Sequence, residues 1–436
     1  MVYLPHWPIP STLGKRQIDY ETVFERMSLV LEKLGNPHQN LPPVIHVSGT
    51  NGKGSATALM AQIFTCAGYK THIYTSPHLH DCNERIILAG AKISDNFLFE
   101  VMEEVRLAAA GTNLTFMESF TIGAFLAFAK TPADVAIIEC GMGSRIDATN
   151  IIEKKLATLI MPISFDHVEY LGNSLERIAL EKAMIMRVEA PLIVAAQPKK
   201  AREIIEILAR DQNVSTYFYD EDFAILLDEE SGEFDLKFEN KILQNLPKPA
   251  LLGSHQYVNF ATAIAAILAI GDKFQIGEEA IRKGIATVFW PSRLEKIKNN
   301  LNKILKSSES EIWLDGAHNE AGAFALARFI AEEKNKKTFV ICGFSRGKCK
   351  KEFLEKFKNI AEVVAVRVDG EPYPESAEVI SEIGTTIGMK IFAAEDLLDA
   401  IFYVGKNSGG EACRIIICGS LHLARDVRKF AKVLSA

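Results

Sequence analysis

The stretch His46–Ser55, HVSGTNGKGS, carries the parts of a phosphate grip in an uncommon spacing. Gly49, Gly52 and Gly54 let the backbone approach an anion, Lys53 adds positive charge, and the Ser55 hydroxyl can ligate Mg²⁺. The common loop is G-x-x-x-x-G-K-[ST]. Here only Thr50 and Asn51 separate Gly49 from Gly52, and Gly54 stands between Lys53 and Ser55. A strand ending at Gly49 and a helix starting near Lys53 would aim backbone N–H groups and a positive helix end at one point, which binds phosphate without side-chain help. An ordinary glycine-rich turn is the alternative, and the lysine and serine together argue against it.

Other residue types suit a metal or a nucleotide. Glu139 lies at the end of the apolar run DVAIIEC, where open α/β sheets collect catalytic groups. His167 follows Asp166 just past MPIS, and Lys182 sits in a helical segment whose other positions read as core or surface. By residue type alone each has an ordinary alternative: a solvated carboxylate, a structural histidine, a solvated lysine. DGAHN (315–319) and CGSLHLARDVR (418–428) each terminate an apolar run and start a helix, and a simple capped helix start fits them equally.

These groups need a frame that brings strand ends together. Short apolar runs alternate with helical segments along the chain, the pattern of α/β units around parallel sheets. PVIHVSG, KTHIYT, DVAIIEC, TLIMPIS and PLIVAA read as strands, ATALMAQIFTCAG and SLERIALEKAMIMR as helices, and 76–93 as a long, mostly polar connection. Past Pro291 the texture turns polar, and alternation in LEKIK and KIL predicts a small hairpin. A second α/β set follows: EIWLDGAHN, KTFVICGF, AEVVAVRV, MKIFAA and CRIIICGS. The expected division is a large domain over 1–292 and a smaller one over 293–436, since 436 residues exceed one ordinary core.

Composition narrows the function classes. With 48% apolar and 24% charged residues the chain reads as a soluble globular protein. A net charge of −6, without long runs of one sign, argues against non-specific nucleic-acid binding, which needs a basic face. The longest apolar run, FATAIAAILAI at 260–270, is far short of the ~20 residues of a membrane span and reads as a buried helix. MVYLPHWPIPSTLGKR lacks the apolar centre of a secretory signal. The seven cysteines form no C-x-x-C pair, several lie in apolar strand runs as small core residues, and a reduced cytoplasm is the expected home.

In order along the chain, HVSGTNGKGS, YTSPHL with NERI, TFMESFT, ECGMGSRIDATN, DHVEYLGNSLERIALEKA, GSHQYVN, WPSRLE, DGAHN and CGSLHLA resemble the motifs of the folylpolyglutamate synthase and dihydrofolate synthase family of the Mur ligase superfamily. The resemblance runs from about residue 46 to residue 425. It implies a large P-loop ATPase-like domain on a parallel sheet, a smaller C-terminal Rossmann-like α/β domain, and ATP-dependent amide ligation. Such enzymes phosphorylate a substrate carboxylate to an acyl phosphate, from which the amine of L-glutamate displaces phosphate. Many bacterial members accept both dihydropteroate and reduced folate, so a bifunctional enzyme is the expectation, with a folylpolyglutamate synthase alone as the alternative. It would be a monomer working on small molecules, with no nucleic-acid or membrane partner.

The resemblance also implies a site. Lys53 and the amides of Gly49, Thr50, Asn51, Gly52, Gly54 and Ser55 would hold the ATP phosphates. Ser55, Ser76 and Glu139 would meet one Mg²⁺, and His167 with Glu139 a second. Lys182 matches the family's carbamylated lysine: added CO₂ turns an ammonium that repels Mg²⁺ into a carboxylate that helps place it. A monovalent cation completes the implied cofactors. Gln256 and Asn259 resemble adenine contacts, Arg293 a phosphate contact, and Asp315 and His318 ribose and adenine contacts. Asp147 resembles a pterin-side contact, and Ser420 a contact to glutamate or phosphate.

Three positions depart from the pattern: Ser144 and Ser292 stand where the family has glycine, and Met184 replaces the glycine of EKAGI. None is a proposed ligand. A peptidoglycan Mur ligase is the nearest rival, but the chain ahead of Gly49 is too short for its UDP-binding domain. A P-loop kinase would explain the loop and none of the later motifs. An inactive relative would be expected to lose some of Lys53, Glu139, His167 or Lys182, and all are present.

Overall fold

Valine and isoleucine crowd the central strands, as they do where helices cover both faces of a sheet and alternation has no use. In the computed structural model, which describes residues 22–297, 305, 307, 309–332, 336–348, 350–369, 371 and 373–435, the chain divides into two compact units. The first comprises the chain up to Ala250 with Tyr257–Phe289, and the second Leu251–Gln256 with Trp290–Ala436.

The main sheet of the first unit holds β1 (Val44–Ser48), β2 (Thr71–Tyr74), β3 (Ile86–Leu88), β4 (Ala91–Lys92), β5 (Val135–Glu139), β6 (Ala157–Ile160), β7 (Leu192–Val194) and β8 (Thr216–Phe218). Their order is β4-β3-β2-β5-β1-β6-β7-β8. All run parallel except β3, which pairs antiparallel with both β2 and β4 at one edge. Since β2 and β5 lie on one side of β1 and β6 on the other, β1 marks a switch point, where open α/β sheets bind ligands. Register sets Val47 beside Glu139 and Ser48 beside Ile160, so β1, β5 and β6 end together.

The 76–93 connection, expected to be loop, contains the short Cys82–Arg85 turn and the edge strands β3 and β4. A three-residue strand leaves no periodicity to read; its existence depends on pairing Ile87 with Ile73. A second sheet was likewise not signalled: β9 (Phe223–Leu227), β10 (Phe234–Phe238) and β11 (Lys241–Leu246), antiparallel in the order β11-β10-β9. It buries Phe234, Leu236, Phe238, Leu243 and Leu246 from one face.

The Lys53–Cys66 helix is apolar nearly all round and buried over most of its length. It meets the Glu278–Thr287 helix so closely that a Cβ at Gly284 would lie 2.4 Å from Ile63 Cγ1, which is why glycine stands there. The Phe116–Lys130 helix opens with a capping box between Thr115 and Glu118. Glu118 also pairs with Arg26 at 2.8 Å, so the glutamate of TFMESFT is a structural group.

The second unit forms one sheet from β12 (Glu295–Lys296), β13 (Glu311–Leu314), β14 (Lys337–Cys342), β15 (Glu362–Val366), β16 (Ile391–Ala394) and β17 (Cys413–Cys418), in the order β12-β13-β17-β14-β15-β16. Only β12 is antiparallel. It pairs Glu295 and Lys296 with Leu314 and Trp313; of the hairpin expected between LEKIK and KIL, Lys298, Lys303 and Ile304 lie outside the described residues. The MVYLPHWPIPSTLGKR segment and Cys349 lie outside them too. Cys140, Cys342, Cys413 and Cys418 are buried, as core cysteines should be. FATAIAAILAI, apart from its last residue Ile270, falls within the His255–Ala269 helix and is buried from Phe260 to Ile267. Among the described residues no helix is long and apolar enough to cross a membrane.

Candidate active site at the switch point

The glycine loop is shaped by contacts only glycine permits. Gly49 and Gly52 take φ of +135° and +84°. A Cβ at Gly49 would lie 2.6 Å from Met161 Cβ, and one at Gly52 2.3 Å from Asn259 Oδ1. Lys53 begins the following helix, and its Nζ donates to the carbonyls of Gly49 (3.2 Å) and Thr50 (3.1 Å) while standing 3.9 Å from Glu139 Oε1. Lys182 Nζ reaches the same Gly49 carbonyl at 2.8 Å. The loop, Glu139 and Lys182, far apart in sequence, therefore meet.

The expected role of the loop amides needs correcting at two positions. The N–H groups of Thr50 and Asn51 donate to Pro162 O at 3.0 and 3.2 Å, and the Thr50 hydroxyl is tied to the Ser164 backbone. These residues brace the loop against the 161–164 segment. The N–H groups left for an anion are those of the first helical turn, which have no intrahelical partner.

Lys182 is buried at 4% exposure, and its pKa falls to about 7, first through burial and then through the positive charge of Lys53. Asp147 caps the Ala148–Ile151 turn: one oxygen accepts from Gly141 N and Met142 N, each at 2.9 Å, and the other from Thr149 N at 3.0 Å. It holds the 141–149 turn with the same carboxylate that the sequence offers to substrate. A Cβ at Gly141 would meet Asp147 Oδ2 and Met117 Cε at 3.3 Å and Ser76 Oγ at 3.5 Å, so these groups crowd one point just past Glu139. His167 takes the left-handed φ of +49° ahead of the Val168–Leu171 helix, with its N–H donating to Asp166 Oδ1 at 2.8 Å and its side chain 38% exposed.

Among the described residues no group of three or more His, Cys, Asp or Glu could hold a metal. The expected ligands are instead one buried carboxylate, Glu139, two hydroxyls, Ser55 and Ser76, and the imidazole of His167. That set fits Mg²⁺, which takes one or two protein carboxylates and completes its octahedron with phosphate oxygens and water.

Sequence reasoning missed a second layer. Lys155 Nζ donates to Asn150 Oδ1 (2.7 Å) and Ile185 O (2.8 Å). Arg187 donates to Asn150 O (2.9 Å) and Met186 O (2.8 Å), and Asn150 Nδ2 to Met184 O (3.1 Å). Two cations and an amide thus satisfy carbonyls just past the helix that carries Lys182 and tie it to the Asp147 turn. Burial, then the charge of Arg187, pushes the Lys155 pKa well down. Only Asn150, inside DATN, carried any signal; a lysine in EKK looks solvated until the fold buries it.

The departures from the family pattern now have local explanations. Ser144 Oγ shares a hydrogen bond with Ser48 Oγ at 2.8 Å, fastening the 141–147 turn to β1. Met184 has a φ of −66°, which any residue adopts. Ser292 is different: it is buried at a φ of +57°, and its hydroxyl has no hydrogen-bond partner among the described residues. Left-handed backbone and an unpaired buried hydroxyl each cost on the order of 1 kcal/mol. Ser292→Gly is therefore expected to stabilise the protein by about 1 kcal/mol or more, read as a higher thermal midpoint; an unchanged or lower midpoint would refute this account.

The second unit gathers its expected residues at the ends of β13 and β17. Asp315 accepts from Leu294 N and Ala317 N, each at 2.8 Å, and His318 Nδ1 lies 2.8 Å from Gly316 O. A Cβ at Gly316 would lie 2.5 Å from Arg293 Nη1. Gly419 N donates to Ala317 O at 2.7 Å, which brings the Ser420 segment alongside DGAHN. Ser420 Oγ accepts from His422 N at 3.1 Å and donates to Glu371 Oε2 at 3.4 Å. The two expected adenine contacts fall in different units: Gln256, buried, in the second, and Asn259, against Gly52, in the first.

Residues 47–267 match the Mur ligase middle domain, and 297–430 the C-terminal domain of dihydrofolate synthetase. The chain is 30% identical over 433 residues to the dihydrofolate synthase/folylpolyglutamate synthase of Bacillus subtilis, covering 96% of this chain and 97% of that protein. Escherichia coli FolC in complex with DHPP and ADP superposes with a TM-score of 0.82 at 28% identity, over 94% of each chain. A bifunctional folylpolyglutamate synthase/dihydrofolate synthase with Mn, AMPPNP and L-glutamate bound gives 0.80 at 26% identity, over 93% of each. With both halves matched in order and the whole length shared, the chain belongs to the dihydrofolate synthase/folylpolyglutamate synthase family of Mur-type ligases.

Proposed function

We propose that this chain is bifunctional, joining L-glutamate both to dihydropteroate and to reduced folate with ATP. The observation that carries the ligase reading is the convergence of Lys53 and Lys182 on the Gly49 carbonyl beside Glu139, at the sheet's switch point; acceptance of both acids is supported by the full-length likeness to a dihydrofolate synthase/folylpolyglutamate synthase. It is an ATP-dependent acid–amino-acid ligase. A carboxylate oxygen of the acid attacks the γ-phosphorus and ADP departs with the P–O bond pair. The neutral amine of glutamate then adds to the acyl carbon and loses a proton, and phosphate leaves with the C–O bond pair.

The protein's part is to position and to spread charge. Lys53 and the first-turn N–H groups bind phosphate oxygens, and Ser55, Ser76, Glu139 and His167 would hold Mg²⁺, which neutralises phosphate charge when bound. A Lys182 pKa of about 7 keeps much of its amine neutral at physiological pH. That is the form that adds CO₂, and a carbamate there would replace repulsion by Lys53 with attraction. A monovalent cation remains part of this reading. Asp147 and Ser420 belong to the acid and glutamate sides, and Gln256, Asn259, Arg293, Asp315 and His318 to ATP. Residues 1–292 act as the ATP-binding domain and 293–436 as its C-terminal partner, in a cytoplasmic monomer with no need of nucleic acid or membrane.

Glutamate-dependent phosphate release, run separately with dihydropteroate and tetrahydrofolate, tests the reading. Release with both is expected. Release with one acid alone would make the enzyme monofunctional, and release with neither would refute the folate reading.

A further inference from the structure

Within NERI, the structure separates three residues that hold the chain from one that does not. Glu84 closes the turn by accepting from Leu79 N (2.7 Å), His80 N (3.2 Å) and Asp81 N (3.3 Å). Asn83 donates to Ile93 O (3.1 Å) and Asp95 Oδ1 (2.8 Å), and Ile86 begins β3. Arg85 turns inward and is only 6% exposed. Its Nε donates to His78 Nδ1 at 2.9 Å, and one terminal nitrogen lies 3.2 Å from the Met117 thioether. Its guanidinium carbon stands 5.2 and 5.8 Å from the ring centres of Phe116 and Phe120, with the Tyr74 hydroxyl also close by.

These partners are an imidazole, a thioether, a hydroxyl and two rings; none is a carboxylate, and Glu139 acts on Arg85 only from beyond ion-pair distance. Other buried or half-buried arginines of this unit are satisfied differently: Arg26 pairs with Glu118, Arg145 with Glu181, and Arg187 spends its donors on the carbonyls of Asn150 and Met186. Among the described residues Arg85 makes no ion pair. Burying an unpaired charge costs several kcal/mol, so a guanidinium kept in this state is explained best by an anion that arrives from outside. Its fork of donors matches a carboxylate. Met117 links it to the reaction centre, because Met117 Cε crowds the same point beside Gly141 as Ser76 Oγ and Asp147 Oδ2.

We propose that Arg85 receives the carboxylate of the acid substrate, the group that becomes the acyl phosphate. The inference rests on the ligase reading above. A carboxylate and a triphosphate repel each other, and a fixed guanidinium beside Ser76 and Asp147 offsets that repulsion while aligning an oxygen for attack. The neighbouring rings of Phe116 and Phe120 keep water from the pair.

The test compares binding of dihydropteroate and of its carboxamide analogue to wild type, Arg85→Met and Arg85→Lys. Wild type is expected to prefer the acid by on the order of 100-fold. Arg85→Met should lose that preference, binding acid and amide within about threefold of each other, with nucleotide affinity unchanged. Equal weakening of both ligands, or a preference that survives the substitution, overturns the proposal, since a merely structural arginine would not distinguish acid from amide. Arg85→Lys keeps the charge and loses the paired donors; should Arg85→Met not fold, a preference reduced about tenfold in the lysine variant supports the proposal and an unchanged one overturns it. Glutamate-dependent turnover by the wild type separates the two readings. If the wild type turns over and the preference survives, only the role of Arg85 falls.

Discussion

Glutamine at position 139 is expected to leave a folded protein whose phosphate release is slower by at least about 10³-fold. Glu139 ends β5 at 5% exposure, in register with Val47 just ahead of the glycine loop, and is the only unmodified carboxylate among the proposed Mg²⁺ ligands. The amide has the same size and retains one oxygen, so packing around β5 survives while the negative charge does not. Lys53, at 3.9 Å, loses its nearest counter-charge at the same time. Stopped or steady-state phosphate assays across a Mg²⁺ titration, with thermal unfolding measured in parallel, give the answer. A variant within tenfold of wild type would remove Glu139 from the metal site, and loss of the unfolding transition would make its role structural.

The second large effect concerns Lys182. Lys182→Ala is expected to lower kcat by on the order of 10²–10³ and to regain part of it with a short carboxylate such as acetate, which can occupy the space of a carbamate. No rescue, together with an unmodified side chain by mass spectrometry of the active enzyme, would sink the carbamate.

The same lysine makes a pH prediction with a definite sign. Its pKa is about 7 in the fold against an ordinary 10.5, so between those values the unfolded chain binds a proton that the folded one does not. In CO₂-free buffer the stability of the wild type should therefore rise with pH across that window. The burial penalty is full near pH 7 and gone above the unfolded pKa, and on the order of 5 kcal/mol is at stake. Lys182→Met has no proton to take up and should lack this slope. Denaturant midpoints of both proteins at neutral and alkaline pH check it, and parallel slopes would refute it.

How much of this was legible in the sequence depended on how local each cause is. The parallel strands announced themselves because β-branched runs buried on both faces need no alternation. The glycine loop was readable because φ and close approach restrict its residue types within a few positions. Strands β3 and β4 were not readable, being made by pairing rather than pattern. The same holds for Lys155 and Arg187, whose burial depends on carbonyls supplied by a distant helix end. Thr50 and Asn51 were given the wrong donor role for a related reason: Pro162, which takes their N–H groups, is more than a hundred residues away.

By itself, then, the chain determined its α/β class, its phosphate loop, its family and which residue types stand ready for ligand chemistry, because spacing and side-chain identity are properties of the polymer. Tertiary structure decided which of these groups meet. It put Lys53, Lys182 and Glu139 around one carbonyl and gave Asp147 a turn to hold. It also left Arg85 buried without an ion pair among the described residues. Those outcomes depend on strand order and on removal from water, and a charge reveals its partner only once the fold has taken its solvent away.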